Sequence, residues 1–150
     1  MRATVTLPDG FRFATELRVR FSEVDTQQVV FNPNYLIYAD IALTEYLRAI
    51  GQPVTDPMSG DTANMYAVRS EVDFRASARF DDVLTLATRT ERIGRSSFTV
   101  LIAMLRDAER IADVRMVYVN ADPVARKGVP LPPRFVDQIL AYETTPPERG

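Results

Sequence analysis

A chain of 150 residues with 46% hydrophobic content is long enough to bury a core as a single domain over residues 1–150 without disulfides or a structural metal. It holds no histidine, cysteine or tryptophan, which excludes Ser-His-Asp and Cys-His nucleophile activation and an ordinary zinc site. Its 18 basic residues, all arginine except Lys127, stand against 20 acidic ones for a net charge of -2, which argues against general nucleic-acid binding.

The chemistry left open runs on carboxylates, hydroxyls, amides, arginine or the backbone. The start, Met1-Arg2-Ala3-Thr4-Val5, lacks the basic-then-apolar pattern of a leader. No apolar run reaches the ~18 residues that span a bilayer. A cytosolic, soluble protein without membrane association is the resulting expectation.

In chain order, Val5 to Phe13, with Asp9-Gly10 as its turn, reads as a hairpin or irregular lead-in. Leu17-Arg-Val-Arg-Phe21 alternates apolar and basic residues, the period of a half-buried strand. A polar stretch from Ser22 to Gln28 leads to Val29-Val30-Phe31 and then a helix start, with Asn32 as N-cap, Pro33 as first helical residue and Gly51 as stop. That helix of about 18 residues would be roughly 27 Å long. Leu36, Ala39, Leu43, Tyr46, Leu47 and Ile50 form its apolar stripe, Asp40 falls inside the stripe, and Glu45 and Arg48 project away. An acid in that stripe needs a partner or a cavity.

Gln52 to Asn64, rich in Pro, Gly, Asp, Ser and Thr, reads as a loop or flap. Four strands are predicted next: Val68 to Phe74 by alternation, Val83 to Glu91, the nearly continuous apolar run Phe98 to Leu105, and Ile111 to Val119. Six of the ten prolines follow Asn120, so the C-terminal segment is extended apart from a short helix around Phe135 to Tyr142. One strand, one long helix and four antiparallel strands make an α+β protein. A strand as apolar as Phe98 to Leu105 is buried on both sides, and dimerisation is one way to achieve that.

Four segments carry a resemblance: Asp25-Thr-Gln-Gln-Val-Val-Phe-Asn-Pro-Asn-Tyr35, Ala42-Leu-Thr-Glu-Tyr-Leu47, Val72-Asp-Phe-Arg-Ala-Ser-Ala-Arg-Phe-Asp-Asp82 and Arg95-Ser-Ser-Phe98. In this order, over residues 17–120, the chain resembles the hotdog-fold acyl-CoA thioesterases of the 4-hydroxybenzoyl-CoA thioesterase type. The resemblance implies an antiparallel sheet wrapped around one long central helix, and hydrolysis of an acyl- or aryl-CoA thioester. Asp25 would be nucleophile or general base, and the backbone amide of Asn32 at the helix start would polarise the carbonyl.

Asn34 is a third candidate at this catalytic segment, alongside a helix-start role. Phe31, Tyr35, Met65 and Tyr66, with Met58, would line an apolar acyl pocket, with packing as the competing role for Tyr35. Asp40 would meet a polar acyl group or serve as a satisfied buried acid. Arg95, Ser96 and Ser97 would contact pantetheine and phosphates, with Arg75, Arg79 and Arg92 as weaker candidates for the same task. Asp81-Asp82 reads as a turn, and no metal or resident cofactor is expected, coenzyme A being part of the substrate. Gln28 stands where the family often has glycine, and Phe31-Asn32 replaces its usual aromatic or histidine pair. The implied assembly is a homodimer or homotetramer with sites at the interface. The alternative is a non-catalytic module binding acyl-CoA or an acyl-carrier protein.

Overall fold

The computed structural model describes residues 4–150; Met1 to Ala3, part of the start read for a leader, lie outside the described residues. After an irregular lead-in turning at Asp9–Gly10 come strand β1 (Phe13–Arg18), a one-turn 3-10 helix (Phe21–Glu23) and the long helix α1 (Asn34–Ile50). Then follow β2 (Met65–Phe74), β3 (Val83–Ile93), β4 (Ser97–Arg106), β5 (Glu109–Asn120), helix α2 (Pro133–Tyr142) and a two-residue strand β6 (Glu148–Arg149). This is the expected α+β order of a hotdog fold.

The strands form one sheet in the order β1-β3-β4-β5-β2, antiparallel except where β6 runs parallel to β3. The chain therefore leaves β1 near one edge, crosses a face of the sheet as α1, and returns at the opposite edge as β2. No helix among the described residues is long and apolar enough to cross a membrane.

The first strand lies earlier than its alternation suggested, ending at Arg18 rather than spanning Leu17 to Phe21. Val19 leaves the ladder to bond Asp81 and Asp82 through its main chain, and the Glu23 carboxylate accepts the Arg20 N–H at 2.8 Å. Those bonds wind Phe21–Glu23 into the 3-10 turn.

At its C-terminus α1 stops as expected: Gly51 takes φ 107°, its N–H bonds Arg48 O, and the Gln52 N–H bonds Leu47 O. That pair of bonds is a Schellman motif. The N-terminus differs, for Asn32 makes no side-chain cap. The amides of Asn34, Tyr35 and Leu36 instead bond the carbonyls three residues back, a tightened entry starting one residue late.

The buried face of α1 is also rotated, by roughly 50° from the predicted stripe. Tyr35, Tyr38, Ala39, Ala42, Leu43, Tyr46 and Ile50 point inward, while Leu36 and Asp40 are exposed. The tyrosines turn inward because each hydroxyl has a partner there. Tyr38 donates to Glu23 Oε1 at 2.9 Å, Tyr35 accepts the Ala78 N–H at 3.2 Å, and Tyr46 pairs with Thr90 Oγ1 at 2.9 Å.

Against this face pack Leu84, Leu86, Phe98, Val100, Ile102, Met104 and Val114. On the opposite side of the sheet, Ala87, Ala103 and Leu105 are covered by Leu7 and Phe11 of the lead-in and Ala14 of β1. Part of the two-sided burial of β4 is thus achieved within one chain. The 52–64 loop is fastened at its base: Gln52 is buried and bonds Asp61 and Gln138, and Arg134 pairs with Asp61 at 3.0 Å.

Candidate active site

Between the 3-10 turn and α1 the chain makes a small hairpin. Val24 bridges Val30, the Asp25 N–H bonds Val29 O at 2.9 Å, and the Gln28 N–H bonds Asp25 O at 2.9 Å. Gln28 sits at φ 66°, so turn and left-handed residue together form a G1-type bulge, whose left-handed position suits glycine. Gln28 therefore adopts the backbone that explains the family's glycine there.

The Asp25 carboxylate is fixed by its own turn, Oδ1 accepting the Gln27 N–H at 2.8 Å. The hairpin docks on the segment before β3, with Val30 N–H on Ala78 O at 2.8 Å and Val29 bridging Arg79. Asp25 opens onto a groove of about 990 Å³ that Phe21, Phe31, Asn34, Arg79 and Phe80 also line.

Glu23, unmarked by the sequence reading, holds this region together. Its carboxylate is buried and accepts the Arg20 N–H, both Arg20 guanidinium bonds and the Tyr38 hydroxyl. Its carbonyl takes the Phe31 N–H and the Asn34 side-chain amide, each at 2.9 Å. Burial alone would raise the Glu23 pKa, but the bonds from Arg20 and Tyr38 outweigh it and hold the carboxyl below the usual glutamate value. An arginine three residues before an acid that itself precedes Asp25 by two was the available signal.

The other candidates divide by location. Asn34 both braces Glu23 and lines the groove, and Phe31 lines it with half its surface exposed. Tyr35 is core, edge-on to Tyr38 and Phe74, rather than a groove residue. Met65 packs on the core, Met58 stands exposed on the 52–64 loop, and Tyr66 lines a different groove with Arg126 and Gly128. Ser96 abuts Gly128 beside that second groove, and Arg95 is exposed next to it.

The two groups lie toward opposite ends of β2, a ten-residue strand of roughly 30 Å, so one chain does not assemble the predicted acyl pocket. Asp40 is neither buried nor in a cavity. It lies close enough to Tyr118 for its charge to add to burial in pushing that phenol up to about 12. Arg75 and Arg92 are engaged by Asp113 and Glu148. Asp81 and Asp82 pair with arginines, and no cluster of three metal-ligating side chains occurs among the described residues.

The thioesterase superfamily family model matches residues 27–112, more than half of the chain. The chain belongs to the thioesterase superfamily. As a member of it the protein is a thioester hydrolase of the hotdog fold. Asp25 lies two residues ahead of the matched range.

A curated relative of this thioesterase, named "Putative esterase" in Aquifex aeolicus (strain VF5), is 26% identical over 100 residues, 67% of this chain and 77% of that protein. A thioesterase from Thermus thermophilus, solved in complex with coenzyme A and Zn, is 25% identical, with TM-score 0.77 over 89% of this chain and 96% of that one. A 1,4-dihydroxy-2-naphthoyl-CoA thioesterase from Synechocystis shares the fold at TM-score 0.78 and 20% identity, covering 87% and 96% of the two chains.

Proposed function

We propose that the protein hydrolyses an acyl-CoA thioester to the free acid and coenzyme A, with Asp25 attacking the carbonyl or activating water. One observation carries the reading. The hairpin that fixes the Asp25 carboxylate runs directly into the start of α1, where the Asn32 amide has no intramolecular acceptor among the described residues. The next three amides with hydrogens, those of Asn34, Tyr35 and Leu36, are all satisfied. An unsatisfied amide at the positive end of a 17-residue helix suits a carbonyl oxygen that gains negative charge in the transition state. The donor is main-chain, which leaves the Asn32 side chain free to vary.

Coenzyme A as the carrier draws support from the Thermus thermophilus neighbour's complex. In this reading Arg95, Ser96 and Ser97 meet pantetheine and phosphate oxygens, the guanidinium through its planar fork. Coenzyme A enters as substrate, and the proposed steps draw on no resident cofactor.

A second copy supplies what one chain lacks. β2 is an edge strand with Tyr66, Val68 and Phe74 exposed along it. Antiparallel pairing of two β2 edges would set the Tyr66 and Ser96 end of one subunit beside the Phe74 and Asp25 end of its partner. Asp40, exposed on α1 beside Tyr118, is then the candidate to meet a polar acyl group.

The test is a hydrolysis screen of short, long, branched and aromatic acyl-CoAs with Asp25→Asn and Asp25→Ala. Both variants should fold and lose at least about 100-fold in turnover. Near-normal turnover by both would remove Asp25 from the mechanism.

A further inference from the structure

Arg79 stands out among the arginines of the groove region because its charge is unspent. Asp81 and Asp82 follow it closely in sequence, yet Asp81 pairs with Arg18 at 3.0 Å and Asp82 with Arg106 at 2.7 Å. Asp82 also accepts the Arg79 main-chain N–H at 2.8 Å. Among the described residues no carboxylate lies within ion-pair distance of the Arg79 guanidinium, and it donates no hydrogen bond. It lines the groove into which Asp25 opens, and the other lining residues are aromatic, aliphatic or neutral polar.

We infer that Arg79 is a specificity residue that binds a carboxylate carried by the acyl group, so that the preferred substrates are thioesters of carboxyacyl chains. The inference rests on the proposed role of Asp25 and deepens it. A guanidinium presents a planar donor fork that matches a carboxylate. Phe80 follows it in the chain and Phe31 lines the same groove, so the exposed guanidinium would meet its anion beside apolar surface.

Distance favours the acyl half of the substrate over the nucleotide. Arg79 bridges Val29, which in turn bonds Asp25 across the hairpin. The backbones of Arg79 and Asp25 are thus two strand spacings apart, roughly 10 Å. Between the thioester sulfur and the nearest phosphate of coenzyme A lies the whole pantetheine arm, about as long as a five-residue extended peptide, roughly 17 Å. With a thioester carbonyl at Asp25, an acyl chain of several carbons is long enough to span that gap, whereas the phosphates stand a whole pantetheine arm away.

The experiment compares the wild type with Arg79→Met and Arg79→Lys on three matched pairs: glutaryl and valeryl, adipyl and hexanoyl, 4-carboxybenzoyl and benzoyl. Each acyl group is presented both on coenzyme A and on N-acetylcysteamine, which carries no phosphate. Arg79→Met should lose about tenfold to a hundredfold in kcat/KM on the carboxylated member of at least one pair, on both carriers and mainly through KM. Its neutral counterpart should stay unchanged, and Arg79→Lys should recover part of the loss. Equal effects on both members of every pair would overturn the inference, as would a loss seen with every coenzyme A ester and with no N-acetylcysteamine ester, which would mark Arg79 as a phosphate contact. A wild type that hydrolyses none of these and none of the wider acyl-CoA panel would instead remove the thioesterase reading beneath it.

Discussion

Gln28 occupies a left-handed backbone at φ 66° that costs an L-residue about 1–2 kcal/mol. Glycine pays no such cost there, though it loses more chain entropy on folding. Gln28→Gly should therefore raise stability by up to about 1 kcal/mol, read as a higher urea midpoint at unchanged slope, with hydrolysis retained because the hairpin already has this shape. Glu23 makes the opposite case. Glu23→Gln keeps its volume but weakens the bonds from Arg20 and Tyr38, and should cost about 2 kcal/mol at neutral pH. Because its folded pKa is depressed, the carboxylate's contribution is present above the usual glutamate value and lost as pH falls through the folded one. Denaturation series in acid should show the gap between wild type and Glu23→Gln closing.

β1 pairs with β3 only as far as Phe13 opposite Thr88, and beyond that point a side chain serves β3 instead. Glu143, at the end of α2, accepts the Thr90 N–H at 2.8 Å through Oε2, while its Oε1 is buried without a partner. Burial pushes this carboxyl above the usual glutamate value. The Thr90 amide, Arg89, Tyr46 and Arg12 pull the other way and do not cancel it. A raised folded pKa means that its contribution is complete below the ordinary glutamate value and is lost as pH rises through the raised one. Urea midpoints at about pH 5 and about pH 8 should therefore favour Glu143→Gln over the wild type increasingly toward the higher pH; a constant difference would contradict the assignment. At this scale periodicity located α1, β2 to β5 and α2, and Gly51 marked the helix stop. It misplaced β1 and the entry of α1, because Val19 bonds residues 81 and 82 and Glu23 grips Arg20 and Tyr38, interactions that local spacing does not encode.

In the proposed reading, the groups toward opposite ends of β2 are two halves of one site, and the whole molecule then depends on pairing. If the proposed antiparallel contact forms, Asp25→Ala and Arg95→Ala homodimers should each be impaired. Mixed subunits should then recover about a quarter of wild-type turnover, since half the dimers are hybrid and each hybrid has one intact site. Val68→Arg, at an exposed point of the same edge, should shift the mass in solution toward monomer and lower activity with it. A fully active monomer would remove the shared site. The α+β class, the turn and helix entry within Asp25 to Tyr35 and the departure at Gln28 could all be read from the chain, because turn chemistry, helix stops and apolar period act between near neighbours. Tertiary structure alone decided which face of α1 is buried, since tyrosines enter the core only where Glu23, Ala78 and Thr90 meet their hydroxyls. It also set β2 at the far edge from β1, separated Tyr66 and Ser96 from Asp25, and left Arg79 unpaired by spending Asp81 and Asp82 on arginines 63 and 24 residues away from them. Partner choice between distant residues depends on how the whole sheet closes around the helix, which no local spacing records.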